Sequence, residues 1–247
     1  MSNWDYWKNE DRKYYKEVFA KRASNELPIM ESQKACMDIL SQKCKIKTPK
    51  ILDIGCGSGY FLNTLGSVYQ GFEYVGVDLN QDYLEIGKTN FEKNRNVDFF
   101  HGDAQNLQFI DNQFDIVISV NTFPHIPNIK AAISECLRVS KKYVVIRLLI
   151  DKELTIVKKS LDLNLDSNGE PTNYMLVNTY TEEYLKQIIG NRVKVEICDD
   201  EFDPNVLKDH HENHKDTAGE HIATTIIDGK QKKGILLLNW KFLFLEL

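Results

Sequence analysis

The stretch ILDIGCGSGYF, at residues 51–61, places three glycines at every second position directly after a short apolar run. The apolar run predicts a buried strand, and the glycines predict a tight turn at its end. Glycine lacks a Cβ, so a backbone rich in glycine can approach a ligand closely. The stretch therefore predicts a cofactor site, and the residues around it indicate which cofactor.

Strand-like and helix-like segments alternate along the chain after this turn. Such alternation predicts βαβ units and a mostly parallel sheet, with helices placed on both faces by right-handed crossovers. Apolar residues at helical spacing predict two helices before the first strand, over residues 4–25 and 30–45. The seven predicted strands are KILDIG, EYVGVDL, NVDFFHGD, FDIVISVN, KYVVIRLLI, RVKVEIC and KGILLLNWKFLFLEL.

A chain of 247 residues suits one large α/β domain. We predict a single domain over residues 1–247, with a helical lid at 1–46, a cofactor-binding half at 47–150 and an acceptor-side half at 151–247. Two insertions interrupt the alternation, at residues 151–179 and 199–232. Long insertions are usually functional, and ligands bind beyond the carboxyl ends of parallel strands. We therefore expect both insertions to lie over the site.

Charge and cysteine content exclude several classes of protein. The formal net charge of −5 gives no overall attraction to a nucleic acid backbone, so we expect no DNA substrate. No apolar run has the length of a membrane span, and residues 1–17 lack the apolar core of a signal peptide. The five scattered cysteines form no CxxC pair, which argues against a disulfide framework or a zinc knuckle. These features predict a reduced, cytoplasmic protein without membrane contact.

The spacing of the glycines excludes two common nucleotide motifs. A dinucleotide-binding turn reads GxGxxG, whereas here Gly55, Gly57 and Gly59 read GxGxG and Tyr60 follows. A phosphate-binding P-loop is excluded as well, because no GK[ST] follows the turn. Asp53 stands just before the turn, where a carboxylate would repel a pyrophosphate and would suit a cationic ligand.

Four segments, in order, resemble the motifs of the class I S-adenosylmethionine-dependent methyltransferases. ILDIGCGSGYF resembles the first motif, and VGVDL puts Asp78 at the end of the second strand, 23 residues after Gly55. FHGDAQNL puts Asp103 after the third strand, and FDIVISVNTFPHIPN resembles the fourth-strand motif with its turn. The resemblance covers residues 50–150 well and the remainder more loosely. It implies an α/β, doubly wound, mostly parallel seven-stranded sheet with the last strand antiparallel.

The resemblance also implies the cofactor, S-adenosylmethionine, and the product, S-adenosylhomocysteine. In the family pattern Gly55 and Gly57 line the methionine part, and Asp53 lies near its ammonium. Asp78 accepts hydrogen bonds from both ribose hydroxyls, and Leu79 packs against the adenine. The alternative role for Asp78 is a helix N-cap, although the nearby Asn80 can also cap.

Further cofactor contacts follow from the same pattern. Asp103 would accept the adenine amino group, unless it is only a turn carboxylate, and the Ala104 backbone would donate to a ring nitrogen. Asn121 would lie under the methionine end, and Cys56 is expected to pack within the turn. The predicted cofactor-binding residues are Asp53, Gly55, Cys56, Gly57, Gly59, Asp78, Leu79, Asp103, Ala104, Asn121, Tyr15 and Arg22.

The acceptor decides whether a general base is needed. A hydroxyl acceptor benefits from a base, whereas a phosphate oxygen is already anionic. His125, in the turn after the fourth strand, is the first candidate base, and its alternative role is a backbone contact at a helix start. The second candidate is KDHHENHKDTAGEH, from which we select His210 and His211 as catalytic and His214 as substrate-binding. This segment is read as a solvated loop, a substrate-binding lid or a metal site, and we assign no metal.

The N-terminal helix resembles the lid of small-molecule methyltransferases. Tyr14, Tyr15 and Arg22 are the candidates on it, and Arg22 could pair with the methionine carboxylate. Arg147, on the fifth strand, could present a cation to an acidic acceptor, or it could be a paired structural charge. Tyr14 and Arg147 join His214 as predicted substrate-binding residues.

The predicted function is methyl transfer from S-adenosylmethionine to a small-molecule acceptor by in-line displacement. Sugar nucleotides and surface-polysaccharide (capsule) precursors are the predicted acceptors, with a phosphate-type oxygen in the same pathways as an alternative. Two more functions stay open, namely a tRNA or protein methyltransferase and a non-catalytic cofactor-binding domain. Oligomeric state stays open as well, with a homodimer among the options.

Overall fold

The computed structural model describes residues 13–200, 225–227, 230–233 and 236–247. Within these ranges the chain builds one large sheet with helices around it and one small three-stranded sheet. None of the helices in the described ranges combines the length and the apolar character that crossing a bilayer requires.

Helices and strands alternate through the first two thirds of the chain, as predicted. The helices are α1 (Lys13–Ala23), α2 (Glu31–Lys43), α3 (Leu62–Leu65), α4 (Gln81–Asn90), α5 (Ile129–Val139) and α6 (Glu182–Ile189), with a 3-10 turn at Phe123–His125. The strands are β1 (Lys50–Ile54), β2 (Glu73–Asp78), β3 (Val97–His101), β4 (Phe114–Val120), β5 (Ser140–Ile150), β6 (Thr155–Ser160), β7 (Tyr174–Tyr180), β8 (Lys194–Asp199), β9 (Thr225–Ile227), β10 (Lys230–Lys233), β11 (Leu236–Leu238) and β12 (Trp240–Glu246).

The large sheet has the order β3-β2-β1-β4-β5-β12-β8. The pairs from β3 to β5 are parallel, whereas β12 runs antiparallel to both β5 and β8. The direction of the chain therefore reverses only at β12 along this path, and β8 is again parallel to β5. This arrangement confirms the predicted doubly wound, mostly parallel sheet with an antiparallel last strand.

The insertion at 151–179 differs from the prediction because it is largely strand. β6 and β7 form an antiparallel hairpin, and β7 joins β5 in parallel at Leu149↔Thr179 and Ile150↔Tyr180. The large sheet thus has nine strands in the described part of the chain, two more than predicted. The hairpin is able to form because β4 ends opposite Arg147, which leaves the last residues of β5 open to a new neighbour.

The predicted final strand over residues 233–247 is wrong in its length. Its first part is β11, which pairs with β10 in the small sheet of order β11-β10-β9, and only β12 joins the large sheet. Between them, the carbonyl of Asn239 accepts from the backbone N of Ile150 at 3.0 Å. The insertion predicted at 199–232 contains β9 and part of β10, and its residues 201–224 lie outside the described residues.

Two hydrophobic cores cover the two faces of the large sheet. Along β5, Tyr143 and Val145 belong to the core that includes α2, whereas Val144 and Ile146 belong to the core that includes α5 and α6. This alternation follows from the pleat of a strand, in which successive side chains point to opposite faces. Both faces are therefore buried, which explains why the central strands are mostly apolar, with Asp53, Ser119 and Arg147 as buried polar exceptions.

The end of α1 is held against the glycine turn and its neighbours. Side chains from other elements donate to carbonyls near this end, including that of Ala23, which has no partner within the helix. Ser58 Oγ donates to Phe19 O at 2.8 Å, and Asn63 Nδ2 and Asn90 Nδ2 donate to Ala23 O at 3.0 and 2.8 Å. These bonds place α1 over the carboxyl edge of the sheet, where the predicted lid was expected.

Candidate active site

The glycine turn follows β1 at the carboxyl edge of the sheet. Gly55, Gly57 and Gly59 have φ angles of 72°, 56° and 72°, in the left-handed region that favours glycine. The backbone N atoms of Gly55 and Cys56 donate to Val77 O at 2.7 and 3.1 Å. The turn is therefore tied to the end of β2 by two backbone hydrogen bonds.

This turn forms one wall of a cavity of about 230 Å³, which we call the glycine-turn cavity. The cavity lies beyond the carboxyl ends of β1, β2 and β4, where ligands bind in open α/β sheets. Its lining residues are Phe19, Ile54, Gly55, Gly57, Tyr60, Val77, Asp78, Leu79, Tyr83, Gly102, Ala104, Val120, Asn121, Thr122 and His125.

Two of the glycines allow the walls of the cavity to approach each other. A Cβ on Gly55 would lie 2.0 Å from Thr122 Oγ1, and a Cβ on Gly57 would lie 2.9 Å from Phe19 Cε1. Both distances are below ordinary contact, so a side chain at either position would displace its neighbour. The glycines thus bring the turn into contact with α1 on one side and with the turn after β4 on the other.

Gly55→Ala tests this close approach. We expect the variant to be about 2 kcal/mol less stable in urea unfolding, because the added Cβ meets Thr122 and the left-handed φ is strained for alanine. Gly169→Ala is the matched control, since Gly169 has a φ of 80° with open space around it, and it should lose about 1 kcal/mol. Equal losses in the two variants would mean that Thr122 moves aside without cost, which would contradict the close approach.

Asp78 ends β2 with its carboxylate held by the backbone. Asp78 Oδ2 accepts from Gly57 N and Oδ1 from Asn80 N, both at 2.8 Å. Asn80 caps α4, because its Oδ1 accepts from the backbone N atoms of Asp82 and Tyr83 at 3.0 and 3.2 Å. Burial raises the pKa of Asp78, and its backbone hydrogen bonds oppose the rise. Leu79 is a third backbone donor to this carboxylate, which has about four acceptor positions, so acceptor capacity remains for a ribose hydroxyl.

Asp53 and Cys56 lie behind the turn. Asp53 is 2 % exposed and accepts a hydrogen bond from Tyr74 Oη at 2.7 Å. Burial raises the pKa of Asp53 to about 7, although the Tyr74 hydrogen bond opposes the rise. The Cys56 thiol fills the space over Gly76, where a Cβ would lie 2.7 Å from Sγ, and burial raises its pKa as well. Neither side chain is among the described residues that line the glycine-turn cavity.

The wall expected to contact adenine is mostly apolar. Leu79 and Ala104 line the cavity together with Gly102, as the resemblance implied for the first two. Asp103 does not line it, and its Oδ1 accepts from the backbone N and the side-chain Nε2 of Gln105 at 2.8 and 3.1 Å. The carboxylate of Asp103 is therefore engaged within its own turn, beside the cavity.

The contribution of α1 to the cavity is Phe19, which was not among the candidates. Tyr14 is 42 % exposed and contacts the ring of Tyr15 edge-to-face, with 5.4 Å between the centroids. The Arg22 guanidinium lies 5.9 Å from the centre of the Tyr60 ring, and burial lowers its pKa. Of these residues only Phe19 and Tyr60 line the glycine-turn cavity. The sequence does place Phe19 on the apolar face of the helix, which was the available signal.

The turn after β4 supplies the opposite wall. Asn121 is left-handed, with a φ of 68°, and asparagine tolerates this conformation better than most residues. His125 also lines the cavity, and its Nδ1 lies 2.6 Å from the carbonyl oxygen of Leu176 on β7. Because a carbonyl only accepts, Nδ1 must carry the proton, and in the neutral ring Nε2 is then the basic nitrogen. The hairpin thus sets the tautomer of the candidate base.

Arg147 is buried on the face of the large sheet that packs against α2. Its Nε donates to Asp200 Oδ2 at 2.9 Å, its Nη2 also contacts Asp200 Oδ2, and its Nη1 contacts Asn121 Oδ1. Each nitrogen of the guanidinium is therefore engaged within the protein. Sequence patterns missed Asp200, which stands 53 positions along the chain from Arg147 and shares no motif with it.

The remaining candidates, His210, His211 and His214, lie outside the described residues. Within residues 13–200 and the described strands beyond them, no three His, Cys, Asp or Glu side chains gather as metal ligands.

Comparison with known proteins supports the interpretation of the cavity. Residues 51–143 match a family described as a methyltransferase domain. This segment is a methyltransferase domain. The match begins at the glycine turn and ends within β5, so the methyltransferase domain carries nearly all of the cavity lining. The resemblance to class I S-adenosylmethionine-dependent methyltransferases is thereby confirmed for this part of the chain.

Relatives extend the comparison beyond the methyltransferase domain. The chain is 32 % identical over 119 residues to a demethylmenaquinone methyltransferase of Staphylococcus saprophyticus, covering 47 % of this chain and 51 % of that protein. The chain thus spans about half the length of this relative. The YcgJ protein of Bacillus subtilis aligns over 85 % of this chain and 96 % of its own, with a TM-score of 0.53 and 16 % identity. The [4+2]-cyclase SpnF aligns over 85 % and 79 %, with a TM-score of 0.58 and 18 % identity. These two structures share the fold.

Proposed function

We propose that this protein transfers a methyl group from S-adenosylmethionine to a small-molecule acceptor. The observation that carries the proposal is the placement of Asp78, a half-buried carboxylate held by backbone N–H groups and with acceptor capacity remaining, directly beside the backbone of Gly57 in the glycine-turn cavity. Hydroxyl recognition and close backbone approach are the two requirements of the nucleoside and methionine parts of this cofactor. The match of residues 51–143 to a methyltransferase domain supports the same activity.

Different residues of the cavity would bind different parts of S-adenosylmethionine. Asp78 would accept from the ribose hydroxyls, and Leu79 with Ala104 would enclose the adenine. Gly55 and Gly57 would leave room for the methionine part, and S-adenosylmethionine supplies, when bound, a methyl group already activated by its sulfonium. The protein then has to align an acceptor with this methyl group and exclude water.

His125 is the group best placed to remove a proton from an acceptor hydroxyl. Its ring lines the cavity, and the Leu176 carbonyl holds the proton of the neutral ring on Nδ1. A hydroxyl at Nε2 could therefore give up its proton as the methyl group is transferred. A positioned base of this kind contributes about 10²–10⁴-fold to rate.

The charges around Arg147 favour a hydroxyl acceptor over a phosphate oxygen. The phosphate-type alternative needs a cation that faces the acceptor, but the Arg147 guanidinium is paired with Asp200 and bonded to Asn121. We therefore retain sugar nucleotides and surface-polysaccharide precursors as the predicted acceptors, methylated on a hydroxyl. Demethylmenaquinone is the first defined compound to include, because it appears in the name of a relative.

Methyl-tritiated S-adenosylmethionine tests this proposal directly. The pure protein is added to desalted extract with its small-molecule filtrate, and the products are separated by a size cut-off membrane. Protein-dependent label in the small fraction supports the proposal, and mass spectrometry then identifies the acceptor. Label in nuclease- or protease-sensitive material would favour a tRNA or protein methyltransferase. Calorimetric binding of S-adenosylhomocysteine without any transfer would favour a non-catalytic cofactor-binding domain.

His125→Ala tests the proposed base. We expect methyl transfer to fall by about 10²-fold at neutral pH, with part of the loss recovered at alkaline pH, where the acceptor ionises unaided. His101→Ala is the comparison variant, because the His101 ring lies outside the cavity lining and contacts the carbonyl of Leu79 at 3.0 Å, so the pH dependence of transfer should stay that of the wild type even if cofactor affinity changes. Unimpaired transfer by the His125 variant at neutral pH would remove this role.

A further inference from the structure

A buried chain of contacts connects the end of β8 to the wall of the glycine-turn cavity. Asp200, just after β8, pairs with Arg147 on β5, and Arg147 contacts Asn121, which lines the cavity. We call these three residues the arginine network. It spans three elements that lie far apart in sequence and joins them at the same edge of the sheet.

The Arg147–Asp200 pair of the network is closed to water, whereas Asn121 is partly exposed. The Arg147 side chain is 9 % exposed and that of Asp200 is 1 % exposed, and the Trp240 ring lies 4.2 Å from the Arg147 guanidinium carbon. Burial lowers the pKa of Arg147, and the charge of Asp200 opposes that effect. Asp200 Oδ1 is buried and has no hydrogen-bond partner among the residues that the structure describes. Within those residues Arg147 is therefore the group that compensates the buried charge of Asp200.

The geometry of Arg147 suits two tasks at once. Nε and Nη2 both contact Asp200 Oδ2, and Nη1 contacts the Asn121 amide oxygen. One rigid guanidinium therefore sets the distance between Asp200 and Asn121. A lysine could neutralise Asp200, but its single ammonium cannot reproduce this fork. The requirement for arginine is therefore stronger than the requirement for a positive charge.

Asn121 connects Arg147 to the wall of the glycine-turn cavity. Its left-handed backbone turns the chain sharply after β4, and the next residue, Thr122, packs where a Cβ of Gly55 would stand. A shift of Asn121 would therefore move Thr122 against the glycine turn. The 3-10 turn that ends at His125 begins directly after Thr122, and His125 N donates to Thr122 O at 3.0 Å, so the wall that carries the candidate base would move as well.

We propose that Arg147 and Asp200 are positioning residues, which hold the Asn121 turn against the glycine turn and thereby set the width of the cofactor cavity. The proposal deepens the proposed function and rests on it for the identity of the cofactor. In this role Arg147 acts on binding through Asn121 and does not touch the acceptor.

Arg147→Lys separates positioning from charge pairing. This variant keeps a cation beside Asp200, so the fold is preserved, but it loses the fork to Asn121. We expect S-adenosylhomocysteine to bind about tenfold more weakly in calorimetry. Asn121→Gly removes the other end of the same contact while tolerating the left-handed φ, and it should weaken binding at least as much, because Asn121 also lines the cavity. The double variant should bind S-adenosylhomocysteine no more weakly than the single variant with the lower affinity. Both changes break the same contact, between Arg147 Nη1 and Asn121 Oδ1.

Glu196→Gln is the matched control. Glu196 on β8 pairs with Lys43 of α2 at 2.6 Å, and its side chain is 42 % exposed, so it is an ion pair at the same strand without contact to the cavity. Its loss should leave S-adenosylhomocysteine affinity within about twofold of the wild type. Wild-type affinity in Arg147→Lys, with only a lowered melting temperature, would overturn the positioning role and leave Arg147 as a structural charge.

A second readout keeps the positioning role testable without the cofactor. The backbone amide of Thr122 and the side-chain amide of Asn121 give NMR signals that report the turn directly. Both should shift in Arg147→Lys and stay in place in Glu196→Gln. If the wild type fails to bind S-adenosylhomocysteine, the proposed function fails, and unmoved amide signals in Arg147→Lys would then reject the positioning role separately.

Discussion

Asp78→Ala is expected to weaken S-adenosylhomocysteine binding by about a hundredfold, or about 3 kcal/mol. The proposed ribose hydroxyls would lose a charged acceptor, and hydrogen bonds to charged groups are the stronger ones. The glycine turn would lose its anchor too, because Gly57 N donates to Asp78 Oδ2. Calorimetry with S-adenosylhomocysteine, the product, measures this effect without any knowledge of the acceptor.

Two further variants make the Asp78 result specific. Asp98→Ala removes an exposed carboxylate from the neighbouring strand β3 and should bind like the wild type. Asp78→Asn keeps an oxygen for the backbone and should restore stability more than it restores affinity, since it removes the charge. Affinity within about threefold of the wild type in a folded Asp78→Ala protein would reject the ribose assignment.

Asp53→Asn is expected to stabilise the unliganded protein at alkaline pH by up to about 4 kcal/mol. Burial raises the pKa of Asp53 from 3.8 to about 7, so the folded state prefers the protonated carboxyl. Asparagine keeps an oxygen that can accept from Tyr74 Oη and carries no charge at any pH. The variant should therefore retain the contact and lose the cost of burying an ionised group.

The sign of this effect follows from proton binding. Between about pH 4 and pH 7 the folded protein holds a proton on Asp53 that the unfolded chain has released, so stability falls as the pH rises through this window. Above about pH 7 the carboxyl is ionised in both states, and the full cost is present. Below about pH 4 it is protonated in both states, and the variant and the wild type should be nearly equally stable.

Urea unfolding of both proteins at about pH 4 and about pH 8 measures the difference. The difference between variant and wild type is informative because it cancels other titrating groups, such as Glu135, whose pKa is lowered by Arg138. A variant that is less stable than the wild type at about pH 8 would show that the ionised carboxylate is stabilised within the turn. Ionisation of the buried Asp53 carboxyl would then not lower the free energy of unfolding, contrary to the expectation.

The alternation of strands and helices and the mostly parallel class of the large sheet were accessible from sequence, because apolar strand segments differ sharply from the helices between them. The β6–β7 hairpin was not, since TIVKKS in β6 is exposed at nearly every position and shows no apolar alternation. The hairpin pairs with the sheet because β5 extends beyond the end of β4. This is a property of the sheet and not of the hairpin segment. The division of the last predicted strand depends in the same way on a partner strand, β10.

More of the predicted cofactor residues than of the predicted acceptor residues line the glycine-turn cavity, for a physical reason. Gly55 and Asp78 belong to local strand-turn motifs, so their relation to the cavity is fixed within a few residues. Phe19 and Asp200 reach the site through packing of distant elements, and a sequence pattern does not contain the rotation of α1 or the register of β8. Arg147 was recognised as a candidate, but its partners could be identified only in three dimensions.

The way in which the β6–β7 hairpin contacts the rest of the protein determines which substitutions in it are tolerated. It joins β5 through two residue pairs only, and it reaches the candidate base through a backbone carbonyl, which every amino acid provides. Side chains along β6 can therefore be exchanged freely while the proton of His125 stays on the same nitrogen. Substitutions at the exposed positions of the hairpin can change its surface while the Leu176 carbonyl keeps its contact with His125 Nδ1.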